Sequence, residues 1–149
     1  MSDVKDTINA IVKVIEHSKE EVFMVSDDLT HEVYQSQRVC DAIQMALDKN
    51  VIFDIIVGPN YDPKSTFVIN RLGGSVYIAS TLPERNFAVG DSKHIRYERR
   101  YDPIDKSPEE KEMSALNNYD VAAFLVERFK ELKPECIPMR HQEILPALI

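Results

Sequence analysis

The stretch VIFDIIVG, Val51–Gly58, holds six apolar residues interrupted only by Asp54. It lacks the polar-apolar alternation of a strand with one wet face, so it reads as a strand buried on both sides, the kind that parallel sheets contain. VFMVS, Val22–Ser26, is a shorter run of the same character. Between the two, the spacing predicts a helix over about Tyr34–Lys49, with Val39, Ile43, Ala46 and Leu47 on one face and Cys40 beside them. Strand, helix and strand in that order predict a right-handed β-α-β crossover and a parallel strand pair.

Working outward, Ser2 or Asp3 can cap a first helix carrying the stripe Ile8, Ile11, Val12 and Ile15, which the polar HSKEE ends. Downstream, Asp62 as N-cap, Pro63 at the first helical position and Gly73 as a left-handed C-cap punctuate a short helix bearing Phe67, Val68 and Leu72. Three β-runs follow, SVYIAS, NFAVGD and HIRYERRY, with connections too short for helices, which predicts an antiparallel meander. Asp102–Asn118 is proline-bearing, densely charged and poor in apolar residues, so it reads as an exposed loop. A last helix is capped by Asn117 or Asn118, carries Val121, Ala122, Leu125, Phe129 and Leu132 at core spacing, and stops at Pro134. The expected fold is therefore α/β: a mixed sheet, partly parallel through the β-α-β unit, with an antiparallel meander and flanking helices. One domain is expected over 1–133. The tail, 134–149, contains Ile144, Leu145, Leu148 and Ile149 and is more apolar than a free terminus, which predicts packing on the domain or on a protein partner.

The totals restrict function. A net charge of −7 and a pI near 5.1 give a field that repels polyanions, so nucleic acid is not an expected partner. No apolar run is long enough to span a bilayer, and the N-terminus lacks the basic and apolar regions of a secretory leader, so a cytoplasmic protein without membrane insertion is expected. Cys40 and Cys136 form no C-x-x-C pair and read as reduced, packed thiols, and His17, His31, His94 and His141 are scattered. Neither a metal site nor a cofactor is expected. Phosphate-binding glycine loops, dinucleotide fingerprints and the G-x-S-x-G elbow of serine hydrolases do not occur.

Several stretches together carry a resemblance: EEVFMVS after the opening helix, the step ALDKNVIFDIIVG, LGGSVYIAS, NFAVGDSKHI and the closing helix NNYDVAAFLVERFKELK. Over about residues 4–133 this order resembles the single phospholipase D-like domain, the half-unit of phospholipases, cardiolipin-synthase-type enzymes and several nucleases. The resemblance implies a motif H-x-K-x4-D, then G-S-x-x-N. In it, one His attacks phosphorus, a second His from the other half protonates the leaving oxygen, and Lys, Ser and Asn hold the remaining oxygens. It also implies a homodimer for a single half-unit. Aligned on Asp91, this chain has Glu84 at the nucleophile's position and Asn86 at the lysine's. Glu98 and Arg99 stand at the Gly-Ser pair and Asp102 at the Asn. No H-x-K occurs anywhere in the sequence, so a change of register restores nothing.

The remaining candidates each carry two readings. Asp91 in VGDSK is either a remnant of the motif or a turn residue. Lys93, His94, Arg96 and Arg100 are either an anion site or a solvated strand face paired with carboxylates. Ser26, Asp27 and Asp28 either line a cleft at the carboxyl end of the first strand or cap the following helix. The expectation is a non-catalytic binding, sensing or assembly module of phospholipase D-like architecture, with no catalytic residue assigned. One alternative is a phosphodiesterase or nuclease-like enzyme with altered chemistry at the same cleft, with or without a metal ion. The other is a subunit docked in a larger complex by its C-terminal tail.

Overall fold

The computed structural model describes residues 4–81, 83, 85–98 and 112–139. Helix α1, Val4–His17, buries Ala10, Ile11, Val12, Val14 and Ile15. Strand β1 is Glu21–Ser26. The single helix expected between the first two strands is two: α2, His31–Tyr34, and α3, Gln37–Asp48. Ser36 is the cause of the break, because its hydroxyl accepts from Val39 N–H and so starts α3 afresh. Strand β2, Ile52–Val57, runs parallel to β1 from Glu21↔Ile52 to Ser26↔Val57, as the apolar run required.

Helix α4 is Thr66–Leu72 and strand β3 is Val76–Ile78. Asp62 does not cap α4; Ser65 occupies the N-cap position. The Asp62 carboxylate instead accepts from Lys64 N–H at 2.9 Å and reaches across to the His31 N–H and ring at the start of α2. Those bonds, the Lys64 N–H first and the His31 ring next, hold its carboxyl down at about 2. Gly73 is not left-handed either: its φ of −52° continues the helix into a 3-10 turn, Gly73–Ser75.

Strands β4, Asn86–Gly90, and β5, His94–Glu98, form the antiparallel pair the sequence predicts. The third member of that ladder is not SVYIAS. It is β6, Glu112–Ala115, inside the stretch read as a loop. SVYIAS supplies β3, which pairs parallel with β2 on the far side of the sheet. Helix α5, Tyr119–Leu132, is capped by Asn118, whose side chain accepts from Val121 N–H, and gives way at Pro134 to a 3-10 turn. Two tail residues form strand β7, Ile137–Pro138, antiparallel to β3, and Met139 beyond them is buried. The described residues thus make one seven-stranded mixed sheet in the order β6-β5-β4-β1-β2-β3-β7.

Alternation along the central strands divides the core. Val22 and Met24 face the layer of α1 and α3, where they meet Ile11, Ile15, Val39 and Ile43. Val25, Ile56, Phe87, Val89 and Ile95 face α5, which contributes Ala122, Leu125 and Phe129. Phe23 and Phe129 stack at 4.9 Å between ring centroids, fastening α5 to the sheet.

Gly58 at the end of β2 passes close under the turn after β1, donating its N–H to Asp27 O at 2.8 Å. A β-carbon there would lie 2.5 Å from that same carbonyl oxygen and closer still to the Asp27 carboxylate. We expect Gly58→Ala to cost about 2 kcal/mol in urea unfolding by overpacking. An unchanged midpoint would show that the turn gives way freely.

Candidate functional site

The carboxyl end of β1 lies beside the start of β4 and the end of β5. Asn86 pairs with Glu98, and Val25 with Phe87, so Ser26, Asn86 and Glu98 form one row across three strands. Arg96 sits one step further in, paired with Ala88 on one side and Ser114 on the other, small neighbours that leave room for a guanidinium. The residues on this side of the sheet, His94, Arg96 and Glu98 on β5 with Asn86, Ala88 and Gly90 on β4, face the α1 layer. Arg96 is 1% exposed, and its Nη2 lies 3.5 Å from Glu98 Oε2.

Above this row is a cavity of about 150 Å³. Its walls are Val4 and Thr7 of α1, Ser26 and Asp28 from the end of β1, Thr30, Val33 and Tyr34 around α2, and Asn86, Arg96 and Glu98 from the sheet. Two hydrogen bonds shape the rim. Asn86 Oδ1 accepts from Asp27 N–H at 2.8 Å, and Ser26 Oγ accepts from Leu29 N–H at 3.2 Å. Leu29 is left-handed, with φ 47°, which turns the chain sharply from β1 into α2. Neither Asp27 nor Asp28 caps α2. Thr30 holds the N-cap position without a side-chain cap bond, and Asp62 serves the His31 N–H instead.

The candidate residues therefore separate. Ser26, Asp28, Asn86 and Arg96 come together around the cavity, while Asp27 contributes the backbone N–H at its rim. Glu84 and Arg100, like Arg99 and Asp102, lie outside the described residues. Asp91 stands at the opposite end of β4 from Asn86, in a left-handed turn with φ 51°. Its carboxylate does not bond two residues ahead. It accepts from the backbone N–H groups of Lys19 at 2.7 Å, Glu20 at 2.9 Å and Glu21 at 3.0 Å. Partial burial raises its carboxyl, but those bonds and the nearby His94 outweigh it and leave Asp91 below the usual carboxylate range.

Lys93 and His94 also belong to that far end. His94 is buried, its ring meets His17 edge-on at 5.9 Å, and its Nδ1 accepts from Asn117 N–H at 3.4 Å. Burial and the charge of Lys93 push its pKa below the ordinary value, against the pull of Asp91. The strand face read as solvated is buried beneath α1 at both His94 and Arg96. Burial likewise raises both thiols, with Asp41 beside Cys40 and Glu135 beside Cys136 adding to it. Thr7 and Tyr34 escaped the sequence reading. Their place at the cavity depends on where α1 and α2 lie over the sheet, which no local spacing reports. Among the described residues, no three His, Cys, Asp or Glu side chains come together as a metal site.

The far end gives a pH dependence with a definite sign. A His whose folded pKa is lowered binds its proton first in the unfolded chain, so stability is full above about pH 6.5 and falls as the pH drops below it. Asp91, whose folded pKa is also lowered, adds stability that is present above about pH 3.8 and lost as the pH falls further. The substitution His94→Asn offers an acceptor to Asn117 N–H without titrating. We expect its urea midpoint to stay flat from pH 7 to 5 while the wild type declines; an equal decline in both would assign the effect elsewhere.

No protein-family model matches the sequence, and no curated protein does. Solved structures match in fold. TrmBL2, an archaeal chromatin protein that shows a novel mode of DNA binding, superposes with a TM-score of 0.67 at 15% identity, over 93% of this chain and 52% of its own. This chain thus spans about half the length of TrmBL2. Nuc from Salmonella typhimurium, a phospholipase D family member, gives 0.61 at 13% identity over 85% of this chain and 86% of its own. NucT from Helicobacter pylori gives 0.65 at 14% identity, over 91% of this chain and 92% of its own. Among the described residues no helix is long and apolar enough to cross a membrane.

Proposed function

We propose that this chain, which has the phospholipase D-like fold, acts as a non-catalytic binding module whose ligand occupies the cavity at the end of β1. The observation that carries this reading is the chemistry of the walls. Phosphoryl transfer through a covalent intermediate needs a nucleophilic imidazole and a cation that reaches the transferring oxygens. The described walls hold no imidazole, and their one cation, Arg96, is buried and already paired with Glu98; in the alignment on Asp91 the lysine's position is taken by Asn86. His94, on the same strand as Arg96, points its Nδ1 at a backbone N–H and packs on His17.

Association as a homodimer is part of the proposal, and light scattering at micromolar concentration decides it: a monomer removes it. Nucleic acid stays outside the reading because the chain carries a net charge of −7. A diesterase screen on nitrophenyl diesters, DNA and phospholipid, with and without Mg, Mn and Zn, tests the central statement. No turnover is expected. Turnover abolished by Asp28→Asn would replace the binding module with an enzyme.

A further inference from the structure

The charges that line the cavity are not equally available to a ligand, because one of them is already paired. Arg96, at 1% exposed, lines the cavity from its floor and is already paired with Glu98. Glu98, by contrast, keeps 35% of its side chain exposed, and Asp28 is exposed at the rim. The described walls contain no lysine or histidine. Among the described residues, two carboxylates against one guanidinium leave the lining net negative, and that guanidinium is already paired with Glu98. A phosphate or carboxylate entering here would have to compete with Glu98 for Arg96.

An ammonium group meets the opposite situation. It donates up to three hydrogen bonds, and the described lining offers acceptors for them in the carboxylates of Asp28 and Glu98 and the hydroxyl of Ser26. Arg96 then has a supporting part, holding the Glu98 carboxylate in place from 3.5 Å away. A bare metal ion fits less well, since no third metal-ligating side chain of the described residues joins those two. Val4 and Val33 give the cavity an apolar side that a carbon chain can use and an ion cannot. The volume, about 150 Å³, suits a molecule of a few heavy atoms.

We propose that this cavity binds a small aliphatic amine, the size of an amino alcohol or short diamine. Its ammonium sits between Asp28 and Glu98 and its carbon chain lies along Val4 and Val33. The proposal rests on the reading of the domain as a binding module and names its ligand class. The test is titration of the full chain with ethanolamine and putrescine, followed by calorimetry and by amide NMR shifts at Ser26 and Asn86. Inorganic phosphate and glycerol are the comparators. Both amines should shift those amides, and Glu98→Gln or Asp28→Asn should each weaken binding about tenfold. Thermal melts of the two variants, both altered at accessible side chains, establish that they are folded.

Equal amine binding by the wild type and by a variant carrying both Asp28→Asn and Glu98→Gln would overturn the proposal, as would silence of both amines. If phosphate or glycerol shifts Ser26 and Asn86 where the amines do not, the ligand class falls and the binding module stands. Diester turnover by the same preparation, lost in Asp28→Asn, overturns the module itself.

Discussion

Asp91→Ala is expected to lower the stability of this domain by about 3 kcal/mol while leaving the affinity of the β1 cavity for its ligand unchanged within about twofold. The carboxylate receives three backbone N–H groups at the α1–β1 junction, from residues about seventy positions earlier in the chain. Hydrogen bonds to a charged group contribute about 1.5–3 kcal/mol each when shielded. Lys19 and Glu20 lie at the surface, so water replaces part of what is lost and the sum falls well short of three full bonds. Alanine adds a conformational penalty of about 1 kcal/mol because φ at this position is 51°. Asp91→Asn keeps an acceptor and tolerates the left-handed backbone, so it should lose only about 1 kcal/mol. Urea unfolding of the two variants, with ligand titration of each, separates the roles. If Asp91→Ala unfolds like the wild type but no longer binds, Asp91 belongs to the cavity and this account is wrong.

Arg96→Ala should cost more, about 4 kcal/mol, and should disturb the cavity as well. The change empties the space of a long side chain that is almost wholly buried and leaves Glu98 without the cation beside it. The informative comparison is Arg96→Met combined with Glu98→Gln, which restores volume and removes the orphaned charge together. We expect the pair to recover more than half of the loss, since methionine refills the space of the buried arginine and glutamine removes the charge left beside it. Thermal unfolding measures it. A loss below about 1 kcal/mol for Arg96→Ala would mean that the guanidinium is as easily solvated as a surface one.

Much of the architecture was legible in local pattern. Val51–Gly58 and Val22–Ser26 read as buried parallel strands because both faces are covered, and Asn118 announced α5 through an ordinary cap. What failed did so for nameable reasons. SVYIAS and NFAVGD are close in sequence but lie on opposite sides of β1 and β2, and nothing in a strand's own residues says which edge it will join. Asp62 looks like the cap of α4, yet an acceptor serves whichever N–H the tertiary structure brings to it. Strand β6 lay hidden among charged residues because an edge strand needs little apolar content. Within the candidate site, the sequence pointed to Ser26 and Asp28 through their place after the first strand, to Asn86 through the alignment on Asp91, and to Arg96 through the basic run that follows Asp91. That the face carrying Arg96 is roofed by α1, and that Asp91 belongs to a different junction, required the third dimension.

The two-residue strand β7 has a bearing on how this protein survives at high concentration. An open sheet edge is a template on which other chains can add strands, and β3 without a neighbour would offer one next to a large apolar core. Ile137 and Pro138 cover that edge, and proline has no N–H with which to extend the ladder outward. A chain cut after Leu132 would keep the cavity's described walls and α5 but lose this cover, and it should form aggregates with a cross-β spacing on standing. The short tail strand is thus a terminator of self-assembly, and what it guards against is other copies of the same sheet.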